Sequence, residues 1–214
     1  MQKPSLKLRF GLVSLFIVVS GIATWLAFES VKAERVKRLK NAVTQHGGLV
    51  EYRSQFNDGR FIESPDAPLS KPPIIRNVVP DTWFKTPYHI NLMGLDVSDA
   101  DLSILIDAPE TRLLSLGLTD VTDTGLIVVG RLTELESLGL EKTAISDAGL
   151  SNLKGLRKLK ELDLRLTPIS DDGLRHLHNL PELRYLYLTG TRVTWKGVKA
   201  FRAALPGCEV EFVE

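Results

Sequence analysis

A short motif that recurs at a fixed spacing constrains the fold of this chain more than any other feature. The motif is [Val/Ile]-[Ser/Thr]-x-x-x-[Leu/Val], and its copies, each 24 residues after the one before, begin at Val97, Val121, Ile145, Ile169 and Val193. A fixed period of about 20 to 50 residues is typical of solenoid proteins. The sequence therefore predicts five stacked repeats, over 87–110, 111–134, 135–158, 159–182 and 183–206.

Each repeat predicts one short strand and one short helix. Leucines two residues apart, such as Leu138 and Leu140, predict a strand with one buried face. A threonine follows the strand at Thr119, Thr143, Thr167 and Thr191, where we expect it to satisfy backbone groups at a turn. Hydroxyl residues that are typical N-caps come next, at Ser98, Thr122, Ser146, Ser170 and Thr194. Aspartates follow them directly, placing negative charge at the positive helix end, at Asp99, Asp123, Asp147 and Asp171.

The frame L-x-x-L-x-L-x-x-T-x-[Ile/Val], which begins at Leu135, Leu159 and Leu183, resembles the leucine-rich repeat family. The variant is similar to the cysteine-containing ITD-x-GL type, with threonine where cysteine is common. The resemblance covers about 87–212 and implies an α/β solenoid: a short horseshoe with parallel strands on the concave side and short helices on the convex side. Residues 207–214 predict a C-terminal capping strand, because Val210 and Phe212 lie 24 residues after Leu186 and Leu188.

The N-terminal part predicts a membrane segment. Residues 10–28 contain no charge, and a helix of that length spans about 28 Å, close to the hydrocarbon core of about 30 Å. We therefore predict a basic tail over 1–9 and a single-pass transmembrane helix over 10–28. A cleaved signal peptide is the alternative. Lys and Arg flank both ends of this run, and the membrane side of the repeats stays undecided because the positive-inside rule and a signal anchor predict opposite orientations.

The segments between this run and the repeats follow in order. Residues 29–48 predict a basic juxtamembrane helix, which is either a solvated stalk or a short dimerising helix. Residues 49–73 predict a hairpin about Asp58-Gly59 and a proline-rich linker. Apolar residues 74–86 predict an N-terminal cap on the first repeat, with an exposed partner patch as the alternative. The whole arrangement resembles short membrane-anchored leucine-rich repeat proteins of planctomycete-type bacteria, through residues 33–38 and 47–52.

Charge and motifs limit the function. Residues 87–214 hold 19 acidic and 14 basic side chains, so we expect no nucleic-acid partner, which needs a basic surface. The sequence has no glycine-rich phosphate loop, HExxH, CxxC or G-x-S-x-G motif. We therefore expect no enzyme activity, cofactor or metal. The single cysteine, Cys208, is interpreted as a buried thiol and not a nucleophile.

The solvent-facing positions of the strands form the concave face and carry the candidate site. Tyr and Arg are enriched at binding hot spots, so we predict protein binding there, at Tyr185, Tyr187, Arg165, Asp163, Glu161, Leu113 and Met93. The leading hypothesis is a membrane-anchored, non-enzymatic protein-interaction module, whose partner and oligomeric state the sequence leaves open. The alternative is a structural, self-associating envelope protein. An F-box-like ubiquitin-ligase adaptor is disfavoured, because residues 1–86 predict no adaptor-binding helical domain.

Overall fold

The computed structural model describes residues 12–52, 56–57, 60–61 and 87–213. Within the first helix, the side chains of residues 12–19, 22 and 29 are not described. The predicted basic tail over 1–9, most of the linker and the predicted cap over 74–86 lie outside the described residues.

Nine strands are described: β1 (Leu49–Tyr52), β2 (Phe56–Asn57), β3 (Arg60–Phe61), β4 (Pro87–Asn91), β5 (Leu113–Ser115), β6 (Ser137–Gly139), β7 (Glu161–Asp163), β8 (Tyr185–Tyr187) and β9 (Glu209–Glu211). Seven of them form one sheet in the order β1-β4-β5-β6-β7-β8-β9. The strands from β4 to β9 run parallel, whereas β1 pairs antiparallel with β4. β2 and β3 pair antiparallel as a separate two-stranded sheet, whereas residues 49–52, predicted as part of the same hairpin, form β1 and join the main sheet instead.

The sheet register follows the sequence period. The central leucine of each strand pairs with the one 24 residues later, so Leu114, Leu138, Leu162 and Leu186 stack in one buried row that ends at Val210. A lone repeat exposes this apolar row, and a neighbour on each side buries it. The predicted α/β solenoid with a parallel sheet and short helices is confirmed.

The elements that return the chain between strands are short. They are α2 (Asp123–Val129), α3 (Asp147–Leu150), α4 (Asp171–Leu174) and α5 (Trp195–Ala204), with 3-10 turns at Asp101–Asp107, Ser151–Gly155 and Arg175–Asn179. Each of these elements buries aliphatic side chains in the core that the repeats share, for example Leu150 and Leu153. Two sets of polar contacts repeat with the same 24-residue period. One lies at the turn after each strand, and the other lies at the start of each helix.

The first set involves the threonine that follows each strand. The Oγ1 of Thr119, Thr143, Thr167 and Thr191 donates a hydrogen bond of 2.6–2.7 Å to the carbonyl three residues earlier. Three of these side chains are buried, and a buried carbonyl without a partner is costly. The predicted role of this threonine is confirmed.

The second set joins each repeat to the next, and we call it the aspartate ladder. Asp123 accepts two hydrogen bonds from Ser146: one from its backbone N–H to Oδ1 at 2.8 Å, the other from its hydroxyl to Oδ2 at 2.6 Å. The same pair of bonds recurs from Thr122 to Asp99, from Ser170 to Asp147 and from Thr194 to Asp171. The aspartates therefore bind the next repeat, beyond the helix-end role expected from sequence.

The ladder explains the glycine three positions after the hydroxyl residue in the second to fifth repeats. A Cβ built on Gly149 would overlap the Oδ1 of Asp123, and the same overlap arises for Gly125, Gly173 and Gly197 with the aspartate one repeat earlier. The motif S/T-D-x-G thus encodes two sides of one contact: the aspartate reaches forward, and the glycine of the next repeat leaves room for it.

Both ends of the ladder depart from the motif for a physical reason. The first repeat has no repeat before it, and there Asp101 occupies the glycine position and accepts from the N–H and hydroxyl of Ser98, at 2.9 and 2.8 Å. Ser98 is therefore not the accepting N-cap that was predicted. At the fifth repeat, Trp195 occupies the aspartate position, and within the described residues the strand β9 follows it without a further helix.

A long helix, α1 (Leu12–Gln45), covers the first repeat. Val36, Leu39 and Val43 on one face of α1 are buried in the core that the repeats share. Ion pairs flank this face, from Lys32 to Glu110 at 3.7 Å and from Arg38 to Asp107 at 3.4 Å. The interpretation of residues 29–48 as a solvated stalk is wrong for this face, and so is the dimerising alternative, because the face packs within the chain.

α1 runs without a break through residues predicted as two separate segments, over 10–28 and 29–48. Among the residues that the structure describes, no helix combines the length and the apolar character that crossing a membrane requires. Gly47, with φ of +83°, ends α1 and turns the chain into β1. α1 and β1 together cap the N-terminal end of the repeat stack.

Candidate functional site

The concave face consists of the side chains that flank the buried central residue of each strand. In β5, β6 and β7 these flanking residues are half-buried, whereas Tyr185 in β8 and both glutamates of β9 are exposed. The helices lie against the other side of the sheet, so among the described residues no element covers this face. Its accessibility increases from the N-terminal to the C-terminal strands.

Strand register decides which of the predicted site residues are neighbours. Glu161 pairs with Tyr185, and Asp163 with Tyr187, so these four lie on adjacent strands, and Arg165 binds Asp163 directly. Leu113 lies three strands from Tyr185, or about 14 Å at the usual strand spacing, and Met93 follows β4 at the same N-terminal side. The structure therefore brings five of the seven predicted residues together, and Leu113 and Met93 lie apart from them.

The N-terminal half of the concave face is occupied by its own hydrogen bonds. His89 on β4 contacts the Glu51 carboxylate of β1 at 3.0 Å through Nδ1 and the Ser115 hydroxyl of β5 at 3.3 Å through Nε2. These side chains are partly buried and satisfy one another. This half therefore offers fewer free polar groups to a partner than the C-terminal half.

Small residues lie in the middle of the concave face, but the space above them is not empty. The Glu141 side chain lies over Gly117, where a Cβ would overlap its carboxylate, and it also approaches Gly139. Gly117 is buried as a result. The small residues Ser115, Gly117, Ser137 and Gly139 therefore do not leave an open depression at Gly117, because the Glu141 carboxylate fills that space.

Arg165 lies within the C-terminal cluster. Its Nε donates to both carboxylate oxygens of Asp163, at 2.9 and 3.0 Å, and its guanidinium carbon lies 5.5 Å from the centre of the Tyr187 ring. The hydrogen bond to Asp163 raises the pKa of Arg165 further above its ordinary value, and the nearby charges of Glu141 and Glu211 act in the same direction. Arg165 is thus held between a carboxylate and an aromatic ring of its own chain.

Tyr187 is the more enclosed of the two tyrosines. Burial raises the pKa of its phenol, and the charge of Glu161 and a hydrogen bond to Glu161 raise it further. Tyr185, by contrast, is 46% exposed. No ion pair or aromatic contact involves the Tyr185 ring among the described residues, so it is the cluster's open aromatic surface.

The family comparison agrees with this geometry. Residues 133–193 match the family model described as Leucine rich repeat. The match covers β6 to β8 and not the whole chain. The matched span contains β6, β7 and β8 together with the aspartate ladder between them, and the flanking strands continue the same 24-residue register. No curated protein matches the chain at a significant level.

Solved structures of leucine-rich repeat proteins are similar to parts of the chain. Internalin C2 from Listeria monocytogenes is 24% identical, with a TM-score of 0.42 over 51% of this chain and 45% of its own. A leucine-rich repeat protein from Leptospira interrogans is 19% identical, with a TM-score of 0.38 over 57% of this chain and 35% of its own. The chain thus spans less than half of the length of either protein.

A plant protein is similar over a larger share of both chains. The leucine-rich repeat ectodomain of the receptor kinase SOBIR1 from Arabidopsis thaliana is 15% identical, with a TM-score of 0.44 over 86% of this chain and 91% of its own.

Two acidic residues next to the cluster were not among the predicted site residues. Glu209 pairs with Tyr185, and Glu211 with Tyr187, so each tyrosine lies between carboxylates on both neighbouring strands. The repeat period contains the signal, because 209 and 211 lie one period after 185 and 187. The leucine-rich repeat register therefore locates them on the face even though the strand belongs to the C-terminal cap.

The remaining candidate for chemistry is the single cysteine. Burial raises the pKa of the Cys208 thiol to about 11, with a smaller opposing effect from the charge of Arg202. A thiol in this environment is protonated at neutral pH, whereas nucleophilic cysteines have depressed pKa values. Across residues 12–52 and 87–213, no cluster of three or more His, Cys, Asp or Glu side chains is arranged to hold a metal.

Proposed function

We propose that this chain is a non-enzymatic protein-interaction module that binds a protein partner on the C-terminal half of its concave face. One observation carries the proposal: Tyr185 and Tyr187 stand on adjacent positions of an uncovered sheet face, bracketed by charged residues. Large aromatic side chains beside charged groups are typical of binding hot spots. The partner contacts Tyr185, Tyr187, Arg165, Asp163 and Glu161, and a long partner extends towards Leu113 and Met93.

A photo-crosslinking experiment tests this proposal. A photoreactive amino acid at Tyr185 should form a crosslink to a protein partner in the native host cell, whereas the same group at Ile127 should not. Ile127 is a matched position, since it is 50% exposed but lies on α2 on the helix side. Equal crosslinking at both positions, or none at Tyr185, contradicts the site.

A substitution experiment gives an independent readout. Replacing Tyr185, Tyr187 and Arg165 together with alanine should abolish capture of the crosslinked partner. The midpoint of thermal unfolding should change little, because these side chains lie on the surface of the sheet and the buried row of leucines is untouched. Retained capture by the triple variant excludes this face as the binding site.

We further propose that residues 10–28 attach the module to a membrane. Support comes from the uncharged 19-residue run and from exposed apolar side chains on α1, at Trp25, Phe28 and Val31. Protease treatment of intact cells and then of permeabilised cells, detected by loss of an epitope placed after Glu214, shows on which side of the membrane the repeats lie. Fractionation of the same cells tests whether the protein is attached to the membrane. An epitope that fractionates with soluble protein in the absence of detergent contradicts the attachment.

Self-association is a second candidate, and one observation favours it. The exposed side of α1 carries Arg35, Lys37 and Lys40, whereas the C-terminal half of the concave face is acidic. Opposite charges on different surfaces of one chain can join two copies. Sedimentation of the full chain across a range of concentrations at low and high salt tests this, and a salt-independent monomer contradicts it.

A further inference from the structure

Two rows of side chains on the concave face repeat one arrangement. In the first row Tyr185 lies between Glu161 on β7 and Glu209 on β9. In the second row Tyr187 lies between Asp163 and Glu211 on the same strands. Residues two apart on a strand project from the same side, about 6.6 Å from each other, so the rows are neighbouring copies of one constellation: an aromatic ring with a carboxylate on each side.

The second row already holds a cation. The Arg165 guanidinium binds the Asp163 carboxylate and lies 5.5 Å from the centre of the Tyr187 ring. The neighbouring charge of Glu211 contributes to raising the pKa of Arg165, so both flanking carboxylates act on it. This row shows what the constellation accommodates: a basic side chain that packs on the ring and pairs with a carboxylate.

The first row has the same ring and the same two charges, but the described residues supply no cation to it. The ring of Tyr185 is 46% exposed, which leaves space over it for a side chain from outside. Glu161 is occupied in part, since it accepts a 3.4 Å hydrogen bond from the Ser137 hydroxyl and binds the Tyr187 phenol. Neither contact neutralises its negative charge, and Glu209 adds a second one.

We infer that the row of Glu161, Tyr185 and Glu209 is the docking position for an arginine or lysine side chain of the protein partner. The inference rests on the proposed function and specifies the partner's chemistry at that site. A basic side chain would lie on the Tyr185 ring and pair with the flanking carboxylates, as Arg165 does one row away. The charges around this row also favour a positively charged side chain. Glu141, Asp163 and Glu211 contribute three carboxylates, and Arg165 is the single guanidinium among them.

A peptide-binding experiment with the full chain tests this inference. The probes are fluorescein-labelled glycine-rich peptides that carry two arginines, two lysines, two glutamines or two glutamates, and the readout is fluorescence anisotropy. The arginine and lysine peptides should bind, more weakly as salt increases, because salt screens exposed charges. Binding of the glutamine peptide with the same affinity overturns the inference.

Variants of the first row, each with a matched control, locate the binding. Tyr185→Leu removes the aromatic face and Glu209→Gln removes one charge, and each should weaken binding of the arginine peptide about two- to fivefold, the effect of one exposed cation–π or ion pair. Tyr185→Phe keeps the ring and should bind like the unmodified chain. Glu182→Gln makes the same charge change at an exposed residue off the concave face and should have no effect.

The second row supplies a test in the opposite direction. Arg165→Ala vacates the Tyr187 position, so the arginine peptide should bind about two- to fivefold more tightly. Arg157→Ala changes the net charge equally at an exposed residue away from the rows and should leave the affinity unchanged. Equal effects of the two variants, or no effect of Tyr185→Leu, contradict docking on the ring.

The crosslinking experiment at Tyr185 separates failure of this inference from failure of the proposed function. A protein partner crosslinked at Tyr185, together with peptides that show no preference for positive charge, leaves the interaction module standing and refutes the cationic partner. Absence of both the crosslink and the charge preference refutes both proposals.

Discussion

The contact between Asp123 and Gly149 gives the sharpest test of how the repeats hold together. Asp123→Ala removes two hydrogen bonds to a charged acceptor, one from the Ser146 N–H and one from its hydroxyl. Such bonds contribute about 1.5–3 kcal/mol each. Since both share one partly exposed carboxylate, we expect the free energy of unfolding to fall by about 2–3 kcal/mol.

Gly149→Ala attacks the same contact from the other side. Alanine is favoured over glycine within a helix by about 1 kcal/mol, so the substitution should stabilise α3 if nothing opposed it. Its Cβ, however, overlaps the Asp123 carboxylate, and overpacking typically costs about 1–3 kcal/mol. The aspartate must move and release its bonds to Ser146, so we expect a net loss of about 1–3 kcal/mol.

The double variant separates this explanation from two independent defects. With Asp123 already replaced by alanine, the carboxylate that Gly149→Ala would meet is absent, and the second substitution should cost nothing or stabilise slightly. The coupling free energy is the difference between the two costs of Gly149→Ala, so we expect about 1–4 kcal/mol from the losses and the helix preference above, measured by urea unfolding of the four chains. Residues without contact add within about 0.5 kcal/mol, so a coupling of that size or less refutes the ladder.

A matched control uses a glycine with open space around it. A Cβ on Gly207 meets no atom within 4 Å, so Gly207→Ala combined with Asp123→Ala should be additive. Strong coupling between Gly207→Ala and Asp123→Ala would mean that the measured coupling arises in the unfolded chain or from a general loss of cooperativity. In that case the coupling measured for Gly149 could not be assigned to its contact with Asp123.

Three further predictions concern the cap and two titrating groups. Leu39→Ala should lower the free energy of unfolding by about 2–5 kcal/mol, because Leu39 is fully buried on the face of α1 that packs against the first repeat, while Lys40→Ala, at an exposed position of α1, should change it by no more than about 0.5 kcal/mol; equal urea midpoints contradict the cap. Hydrogen bonds from Ser98 lower the pKa of Asp101, so its contribution is present above the unfolded value of about 3.9 and lost as pH falls through the folded pKa. Asp101→Asn should remove that part of the acid dependence of the urea midpoint. The pH dependence from Cys208 has the opposite sign, because burial raises its pKa to about 11. The free energy of unfolding should decline as pH rises above the unfolded value of about 8.5. Cys208→Ala should flatten this decline and abolish the slow alkylation of the native thiol.

The repeat stack could be predicted from sequence because every copy has the same neighbours. A position that contacts the adjacent repeat meets an equivalent environment each time, so one residue type recurs at a period of 24. The row of central leucines is an example, since Leu114 pairs with Leu138 and Leu138 with Leu162. The closing strand was predictable for the same reason, because Val210 continues the buried row.

The aspartate ladder was visible in the sequence but not its meaning. An aspartate after an N-cap has a sufficient local explanation in the helix dipole, and nothing local shows that Asp123 binds Ser146, 23 residues later. Two departures from the motif could have shown it: Asp101 replaces the glycine in the repeat next to α1, and Trp195 replaces the aspartate in the repeat next to β9.

The role of α1 could not be predicted because an apolar stripe does not say what covers it. Val36, Leu39 and Val43 recur at the spacing of one helix face, but the surface that buries them belongs to a repeat more than 50 residues later. The ion pairs from Lys32 and Arg38 to that repeat join the same distant segments. Long-range packing of this kind leaves no periodic signal.

The concave face differs from all of these because no neighbouring repeat specifies its residues. Side chains there point away from the core, so stacking requires neither Tyr185 nor the carboxylates beside it. Like charges on adjacent positions of a sheet reduce stability, and Glu209, Glu211 and Asp163 lie close together in the register. Among the described residues Arg165 pairs with Asp163, but no ion pair joins Glu209 or Glu211 to a basic side chain. Because stacking of the repeats does not require this cluster, binding to an external partner can determine which residues occur there. The negative charge of the cluster predicts that this partner is positively charged.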